Sequence, residues 1–411
     1  MSVDGADLLR ALRERIVELV VWFGEERRRL PDAQEIWRQD ELWDRRLDDE
    51  ELRWQELIGE QKPLPFAKLA SSTPARLLLE LECIDHLAWL FAGNAHLAPA
   101  QVVRRGGREH YLIRLARERT PRTARQADVL YTHLRHHALI PARVEVDPVR
   151  SYPVHVEHMR QGTIRCEEAL ARGIVKVATT SFGDGARIDF GERSVPTAAE
   201  RARKLSQAIT GAAARGVDIL VAPELTLPPT ARAAVLRDLR WSTGPELALL
   251  APGSFHEREA DGVFNRAVLV DGKGNELCTH RKLTKFGELE GWLEEIELGG
   301  EITVLVTPIG LVALAICKDF CDDHVGRVWE QLQPEWLLVP AYGRGASAHE
   351  TAARRISRMA GTIVILAHEG DPALDEGQNS FVQAAEMLKG NSQAPDFAEY
   401  KIVFTDDAQS S

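Results

Sequence analysis

Apolar residues recur at helical spacing in the first part of the chain. Residues 8–23 carry an apolar side chain every three or four positions, which is typical of one face of an amphipathic helix. A second helical segment covers residues 33–58, where the tryptophans are interpreted as packing anchors. Residues 74–91 follow proline-containing breakers and are apolar on more than one side, so we expect this helix at the centre of a bundle.

From Gly173 onward, short apolar runs alternate with amphipathic segments. Such alternation of strands and helices predicts an α/β domain with layered sheets and helices. The predicted strands include residues 174–179, 216–225, 268–276, 312–317, 336–340 and 363–368, and the predicted helices are residues 198–215, 325–332 and 347–360.

This change of pattern divides the chain into two predicted domains. We place a mainly α-helical domain at residues 1–165 and the α/β domain at residues 170–411. Near the boundary, residues 140–153 are punctuated by prolines and predict an extended linker or an edge strand. Residues 155–172 predict a short helix that leads into the second domain.

Length and composition agree with this division and narrow the class of protein. A chain of 411 residues exceeds what one hydrophobic core usually serves. A hydrophobic content of 44% and a charged content of 27% are those of an ordinary globular protein, and a net charge of −11 argues against nucleic acid as a main partner. Five cysteines without paired spacing fit a reducing compartment. With neither a signal-peptide pattern nor a membrane span, we expect a cytoplasmic protein.

Charge is uneven within the predicted helical domain. Its first sixty residues are rich in acids, whereas residues 104–150 are rich in arginine. One interpretation is a basic face for a phosphate-bearing or acidic partner. The interpretation that we favour is a solvated helix face, or one that docks on the acidic segment of the same domain. The histidines at 133, 136 and 137 match no zinc spacing that is closed by a second pair, so no metal site is predicted.

Three buried strands each carry a reactive side chain at or just beyond their end. Glu224 ends one predicted strand, Lys282 follows the strand and glycine turn at residues 268–276, and Cys317 ends another strand. A carboxylate can take a thiol proton, an ammonium group can hold developing oxyanion charge, and a thiolate can attack. The three residues therefore form a chemically sensible set for nucleophilic catalysis by cysteine.

The segments around these residues resemble the nitrilase superfamily of carbon–nitrogen hydrolases. Residues 222–224, 281–282 and 316–319 match the family's APE, RK and IC-x-D segments, and residues 264–267 resemble its YN-x-A strand. The likeness covers about residues 170–370 and is carried by the order and spacing of these motifs. It implies a four-layer αββα sandwich and a small-molecule amide or nitrile substrate. It also implies at least a homodimer and neither a metal nor an organic cofactor.

By this resemblance Cys317 is the nucleophile and Glu224 is the general base. The chain turns sharply after Cys317, so the backbone amide of Lys318 is a candidate member of the oxyanion hole. Cys278 and Cys321 are competing thiols, and Cys278 lies in a strand without a partner set. Many family members have an aromatic residue where this chain has Lys318, so the family's substrate specificity does not transfer.

The lysine and the second glutamate of the family's site are assigned by the same resemblance. The Arg281-Lys282 pair favours Lys282, but the spacing to the following glutamate looks about two residues shorter than usual, so Lys285 is an alternative. Glu288 resembles the second glutamate that positions the lysine and the substrate, and Glu290 is close enough to compete for that assignment.

We therefore expect a cysteine-dependent hydrolase of a non-peptide carbon–nitrogen bond, working through a Glu-Lys-Cys site and a thioester. An amide is favoured over a nitrile by analogy with the superfamily. One alternative is a catalytically silent, nitrilase-like binding or regulatory module whose helical domain recognises a partner protein. The other is an acyl transferase that passes the same thioester to an amine.

Overall fold

The chain folds into two compact units, one within Met1–Ala142 and the other within Arg143–Val403. The division falls before the expected boundary at residues 165–170, because residues 143–158 form strands that pair inside the second unit. The computed structural model describes residues 5–25, 43–60, 62–91, 101–105, 108–116, 134, 136–160, 162–182, 195, 197–287, 294–343, 346–370, 380–383 and 397–401.

The described part of the first unit contains three helices, α1 (Gly5–Glu25), α2 (Trp43–Gly59) and α3 (Pro74–Phe91). Helix α3 begins where the Thr73 hydroxyl accepts the Arg76 amide at 3.3 Å, as a helix N-cap does. It packs against both α1 and α2, and its leucines are buried. The prediction of a central helix at residues 74–91 is confirmed. The part of the predicted second helix before Trp43 lies outside the described residues.

The same unit also contains a small antiparallel sheet. Its strands β1 (Gln101–Arg105), β2 (Arg108–Arg114) and β3 (His137–Pro141) pair in chain order. The expected helix face in the arginine-rich run is therefore wrong for residues 104–105 and 108–114, which lie in strands. In β2, Leu112 and Ile113 are buried whereas Glu109 is exposed. The arginines between residues 117 and 133 lie outside the described residues.

The second unit alternates strands with helices. Its strands are β4 (Arg143–Glu145), β5 (Ser151–His158), β6 (Ile174–Thr179), β7 (Ile219–Val221), β8 (Leu249–Ala251), β9 (Ser254–Glu259), β10 (Gly262–Asp271), β11 (Glu276–Arg281), β12 (Ile302–Thr307), β13 (Gly310–Leu314), β14 (Trp336–Gly343), β15 (Ile363–Gly370), β16 (Phe381–Gln383) and β17 (Phe397–Lys401). Its helices are α4 (Thr163–Arg172), α5 (Ala198–Ala214), α6 (Pro229–Arg240), α7 (Lys318–Cys321), α8 (Arg327–Leu332) and α9 (Ser347–Ala360).

These strands form two sheets of seven strands each within the described residues. One has the order β11-β10-β8-β7-β6-β17 with β9 paired to β10, and the other has the order β16-β15-β14-β13-β12-β5-β4. The sheets contact each other through β6 and β7 on one side and β14 and β15 on the other. Helix α5 covers the first sheet and α9 packs on β15 and β16, which gives the layering α, β, β, α. The predicted α/β sandwich is confirmed.

Two predictions near the boundary differ from the structure. The edge strand expected within residues 140–153 is present as β4, which ends the second sheet, but residues 151–158 form β5, an inner strand that pairs with β12 in parallel and with β4 antiparallel. Helix α4 consequently begins at Thr163, after the strand, and not at residue 155. Long-range pairing with β12 explains both differences, because local sequence carries no record of a partner that lies about 150 residues away.

The inner strands place the candidate side chains at one edge. Strands β6, β7 and β8 run parallel in the first sheet, as do β13, β14 and β15 in the second. The carboxyl ends of parallel strands meet at one edge, where open sheets usually form their sites. Glu224 follows β7 and Cys317 follows β13. In the part of the chain that the structure describes, no helix is long and apolar enough to cross a membrane.

Candidate active site

Lys282 lies between two carboxylates at the carboxyl ends of the strands. Its Nζ donates to Glu224 Oε1 at 2.8 Å and to Glu294 Oε2 at 2.9 Å. All three side chains are nearly inaccessible, with exposures of 2–4%. Buried charges are tolerated only when they are paired and hydrogen-bonded, so this cluster is one electrostatic unit.

A second layer of polar groups fixes the two carboxylates. Asn265 Nδ2, on β10, donates to Glu224 Oε1 at 2.8 Å and to Glu294 Oε1 at 3.1 Å. His256 Nε2, on the neighbouring β9, contacts Glu294 Oε1 at 2.9 Å, and the Phe286 amide donates to Glu294 Oε2 at 3.0 Å. Because strand residues hold most of these contacts, the carboxylates have little freedom to move.

Cys317 stands on a strained piece of backbone between β13 and α7. Its φ is 47°, in the left-handed region that non-glycine residues rarely adopt. The Cys317 amide donates to the Pro340 carbonyl at 2.8 Å, and Sγ contacts the Tyr342 carbonyl at 3.6 Å. Burial raises the pKa of this thiol, and the charge of the nearby Glu224 carboxylate acts on it and raises that pKa further. Strain of this kind persists where surrounding contacts hold it and is frequent at active sites.

Asp319 ties the cysteine loop to the lysine loop. Its Oδ1 accepts the amides of Leu283 and Thr284, at 2.9 and 2.8 Å, and the Thr284 hydroxyl at 2.8 Å. Its Oδ2 contacts His280 Nε2 at 3.1 Å. Asp319 is two residues after Cys317, and the two amides directly follow Lys282. One buried carboxylate therefore sets the distance between nucleophile and ammonium group.

The electrostatics of the site favour a neutral thiol beside a charged lysine. Burial lowers the pKa of Lys282, but the charges of Glu224 and Glu294 outweigh this effect and hold that pKa well above its usual value. Burial and the Glu224 charge raise the pKa of Cys317. Burial also works against ionisation of Glu294, yet Lys282, His256 and the Phe286 amide lower the pKa of that carboxyl to about 2.

The structure thus brings together three of the residues predicted from sequence, Glu224, Lys282 and Cys317. The alternative lysine, Lys285, is half-buried outside the cluster, and its carbonyl accepts Lys318 Nζ at 3.3 Å. As the first residue of α7, Lys318 has a backbone N–H that the helix itself leaves unused. The predicted Glu288 and its competitor Glu290 lie outside the described residues.

Sequence reasoning missed Glu294, which supplies the second carboxylate on Lys282. Five glutamates lie between residues 288 and 297, and their spacing alone does not single one out. In the structure, Glu294 and Ile296 are buried, whereas Glu295 and Glu297 are exposed. Alternation of this kind marks an extended segment with one face toward the core.

Among the described residues, no group of three or more His, Cys, Asp or Glu side chains is arranged to hold a metal ion. Of the five thiols, Cys321 is half-exposed and contacts His349 Nε2 at 3.8 Å, whereas the other four are buried. What the cluster offers is a nucleophile, a proton acceptor and a fixed positive charge.

Comparison with known proteins places a family domain on this part of the chain. Residues 191–329 match the family model described as carbon-nitrogen hydrolase. Glu224, Lys282, Glu294 and Cys317 all lie inside the matched stretch. The match confirms the nitrilase-superfamily resemblance of the C-terminal part. No curated protein sequence was found to match the chain.

Several solved structures align with about half of the chain. The NitFhit protein of C. elegans is 17% identical, with a TM-score of 0.43, over 56% of this chain and 61% of its own. An amidase from Nesterenkonia sp. is 17% identical, with a TM-score of 0.41, over 57% of this chain and 93% of its own. A carbon-nitrogen hydrolase from Helicobacter pylori is 17% identical, with a TM-score of 0.41, over 56% of this chain and 90% of its own.

Proposed function

We propose that the carbon–nitrogen hydrolase domain that this chain contains cleaves a non-peptide amide bond, with Cys317 as the nucleophile. The observation that carries the proposal is the buried arrangement of Glu224. Its carboxylate shares Lys282 with Glu294, and its charge acts on the Cys317 thiol at the neighbouring strand end. Thioester chemistry requires a proton acceptor, a nucleophile and a fixed cation, and the three side chains that supply them lie close together at the ends of strands.

The first step follows from the protonation state of the site. Because the pKa of Cys317 is raised, the resting group is the neutral thiol, and its proton must leave as the sulfur–carbon bond forms. Glu224 accepts that proton while Sγ attacks the amide carbonyl carbon. The carbonyl π electrons move to oxygen, and Lys282 and the Lys318 amide stabilise the resulting oxyanion.

The remaining steps return the site to its starting state. The oxyanion collapses, the carbon–nitrogen bond breaks, and protonated Glu224 gives its proton to the departing nitrogen. This leaves an acyl group on Cys317 as a thioester. Glu224 then takes a proton from water, the hydroxyl adds to the thioester carbon, and the thiol leaves with the proton. The net reaction is amide plus water to carboxylic acid plus amine.

Glu294 has a supporting part in this scheme. With its carboxyl ionised even in acid, it keeps Lys282 charged and directs Nζ. General acid–base help of the Glu224 type contributes about 10²–10⁴ in rate. One oxyanion donor contributes about 10²–10³.

The enclosure of the nucleophile favours a small substrate. Cys317 is 5% exposed, so only a slim group can reach Sγ. A primary amide has this shape, and its nitrogen needs the proton that Glu224 would hold after the attack. A nitrile would reach the thiol as well, and its nitrogen would take that proton to form a thioimidate, from which ammonia leaves only after water adds.

The test is ammonia release from a panel of aliphatic amides from acetamide to butyramide, with the matching nitriles in parallel. We expect release from amides by the full chain and its loss in Cys317→Ala. The matched control is Cys321→Ala, which removes the accessible thiol and leaves release unchanged. Equal release from Cys317→Ala and the unmodified chain would overturn the proposal. Release that needs an added amine acceptor in place of water would favour the transferase alternative.

A further inference from the structure

The turn that follows Glu224 has an unusual backbone. Leu225 has φ of 57°, in the left-handed region that residues other than glycine rarely adopt. Its side chain is buried with Val195 and Phe255, so apolar packing holds the turn from one side. A strained conformation persists only where its surroundings enforce it. Other contacts to this turn therefore affect the position of Glu224, the residue directly before Leu225.

Arg201 contacts this turn from α5. Its side chain is buried, and Nη1 donates to the Leu225 carbonyl at 3.2 Å. The guanidinium group lies 5.1 Å from the centre of the Phe182 ring. Phe182 is itself fixed, since its amide donates to Glu369 at 2.7 Å and its carbonyl accepts Lys204 Nζ at 3.0 Å. Burying a cation is costly, so a directional hydrogen bond to the turn gives a physical reason for an arginine here.

The same turn is tied to the strand that faces the thiol. The Glu224 amide donates to the Ala341 carbonyl at 3.4 Å, across the two sheets. The next carbonyl along that strand, of Tyr342, faces Cys317 Sγ at 3.6 Å. The backbone of Glu224 is therefore held on the thiol side by Ala341 and on the opposite, helix side through Leu225.

We propose that Arg201 is a positioning residue for the reaction proposed above. By holding the carbonyl of left-handed Leu225, it keeps the Glu224 carboxylate within reach of the Cys317 thiol. The inference rests on the proposed function, because it assigns Arg201 a role only through Glu224. A guanidinium group suits this task because its planar fork keeps a hydrogen bond in a fixed direction.

The experiment measures alkylation by iodoacetamide at each cysteine from pH 6 to 8, by peptide mass spectrometry. An unassisted thiol reacts through its thiolate, so its rate rises about tenfold per pH unit below its pKa. A thiol assisted by a charged carboxylate reacts at a rate that changes little with pH. The variants are Arg201→Ala, Arg201→Lys, Glu224→Gln and Arg203→Ala. Arg203 is the matched control, exposed on the same helix and paired with Glu200.

We expect Arg201→Ala to slow the alkylation of Cys317 at pH 7 by about tenfold, as a misplaced catalytic group does. In Arg201→Ala the alkylation rate of Cys317 should rise with pH, as in Glu224→Gln. Arg201→Lys should restore part of the rate lost at pH 7. Arg203→Ala should have the same rates as the unmodified chain. A Cys317 profile in Arg201→Ala equal to that of the unmodified chain overturns the inference. Parallel acceleration of buried Cys166 and Cys278 overturns it too, because that reports general loosening. If Glu224→Gln leaves the Cys317 profile unchanged, the proposed function fails with it.

Discussion

Each unit of the chain buries one cation between two glutamates, but the two clusters differ in what surrounds them. In the first unit, Arg15 donates to Glu80 at 2.6 Å, to Glu18 at 2.7 Å and to the Ala67 carbonyl at 2.5 Å. The Ala67 amide completes the set by donating to Glu80 at 2.8 Å. These contacts link α1, α3 and the segment between α2 and α3 around a buried charge, with no nucleophile among them.

In the second unit the corresponding cation is Lys282, and the cluster adjoins a thiol on strained backbone. One of its carboxylates, Glu224, accepts a hydrogen bond from the ammonium group, and its charge adds to burial in raising the pKa of Cys317. A buried ion cluster is therefore by itself weak evidence of catalysis, since structural networks have the same form. The second cluster differs because it adjoins a nucleophile at a strand end and contains a carboxylate that can accept the thiol proton.

The largest effect expected from this comparison is on turnover. Replacing Glu224 by Gln keeps the shape of the side chain but removes the proton acceptor, so kcat for an amide that the chain hydrolyses should fall by about 10²–10⁴. KM should change much less. Steady-state ammonia release measures both constants. The matched control is Glu295→Gln, an exposed neighbour of Glu294, and a similar fall in that variant would show that the effect is not specific to the cluster.

The matching change in the first unit should affect stability and not chemistry. Glu80→Gln leaves Arg15 short of one buried partner, which should reduce the free energy of unfolding by about 3 kcal/mol. Denaturant titration followed by circular dichroism measures this loss. Activity per folded molecule should be unchanged. Glu14→Gln, an exposed change on α1, serves as the control, and an equal loss there would contradict the structural role given to the Arg15 cluster.

Loss of the link between the two catalytic loops should have a smaller effect on turnover. In Asp319→Asn, the charge that accepts the amides of Leu283 and Thr284 is removed, so Lys282 and Cys317 drift apart slightly. We expect kcat to fall by up to about 10²-fold, the loss that a misplacement of about 1 Å can produce. The exposed Asp323→Asn is the control. Unchanged turnover in Asp319→Asn would show that other contacts set this spacing.

The smallest expected effect is on acid stability. The pKa of Glu294 is lowered from 4.5 to about 2, so its stabilising effect is complete above pH 4.5 and is lost as the pH falls toward about 2. Thermal melts between pH 5 and pH 3 should therefore show a steeper loss of stability in the unmodified chain than in Glu294→Gln. An equal loss of thermal stability in the two proteins over this pH range would mean that the partners of Glu294 do not lower its pKa.

Sequence alone predicted the parts of the fold and site that local pattern encodes. Glu224 and Cys317 each stand just beyond an apolar run, Lys282 follows β11, and strand ends that meet at one edge bring the three residues together. Glu294 was not predicted because it is one of several nearby glutamates and its burial depends on strand β10 and the Lys282 loop. Strand β5 escaped because its partner β12 lies far along the chain.

The central claim is that Glu224 takes the proton of Cys317, and the pH dependence of alkylation tests it most directly. The measurement is the rate of iodoacetamide alkylation of Cys317 between pH 6 and 8, with Cys278 as an internal reference. Burial raises the pKa of Cys278 to about 12, so its rate should rise about tenfold per pH unit. We expect the alkylation rate of Cys317 to change little with pH in the unmodified chain and to rise steeply with pH in Glu224→Gln. A Cys317 profile as steep as that of Cys278 in the unmodified chain would contradict the claim.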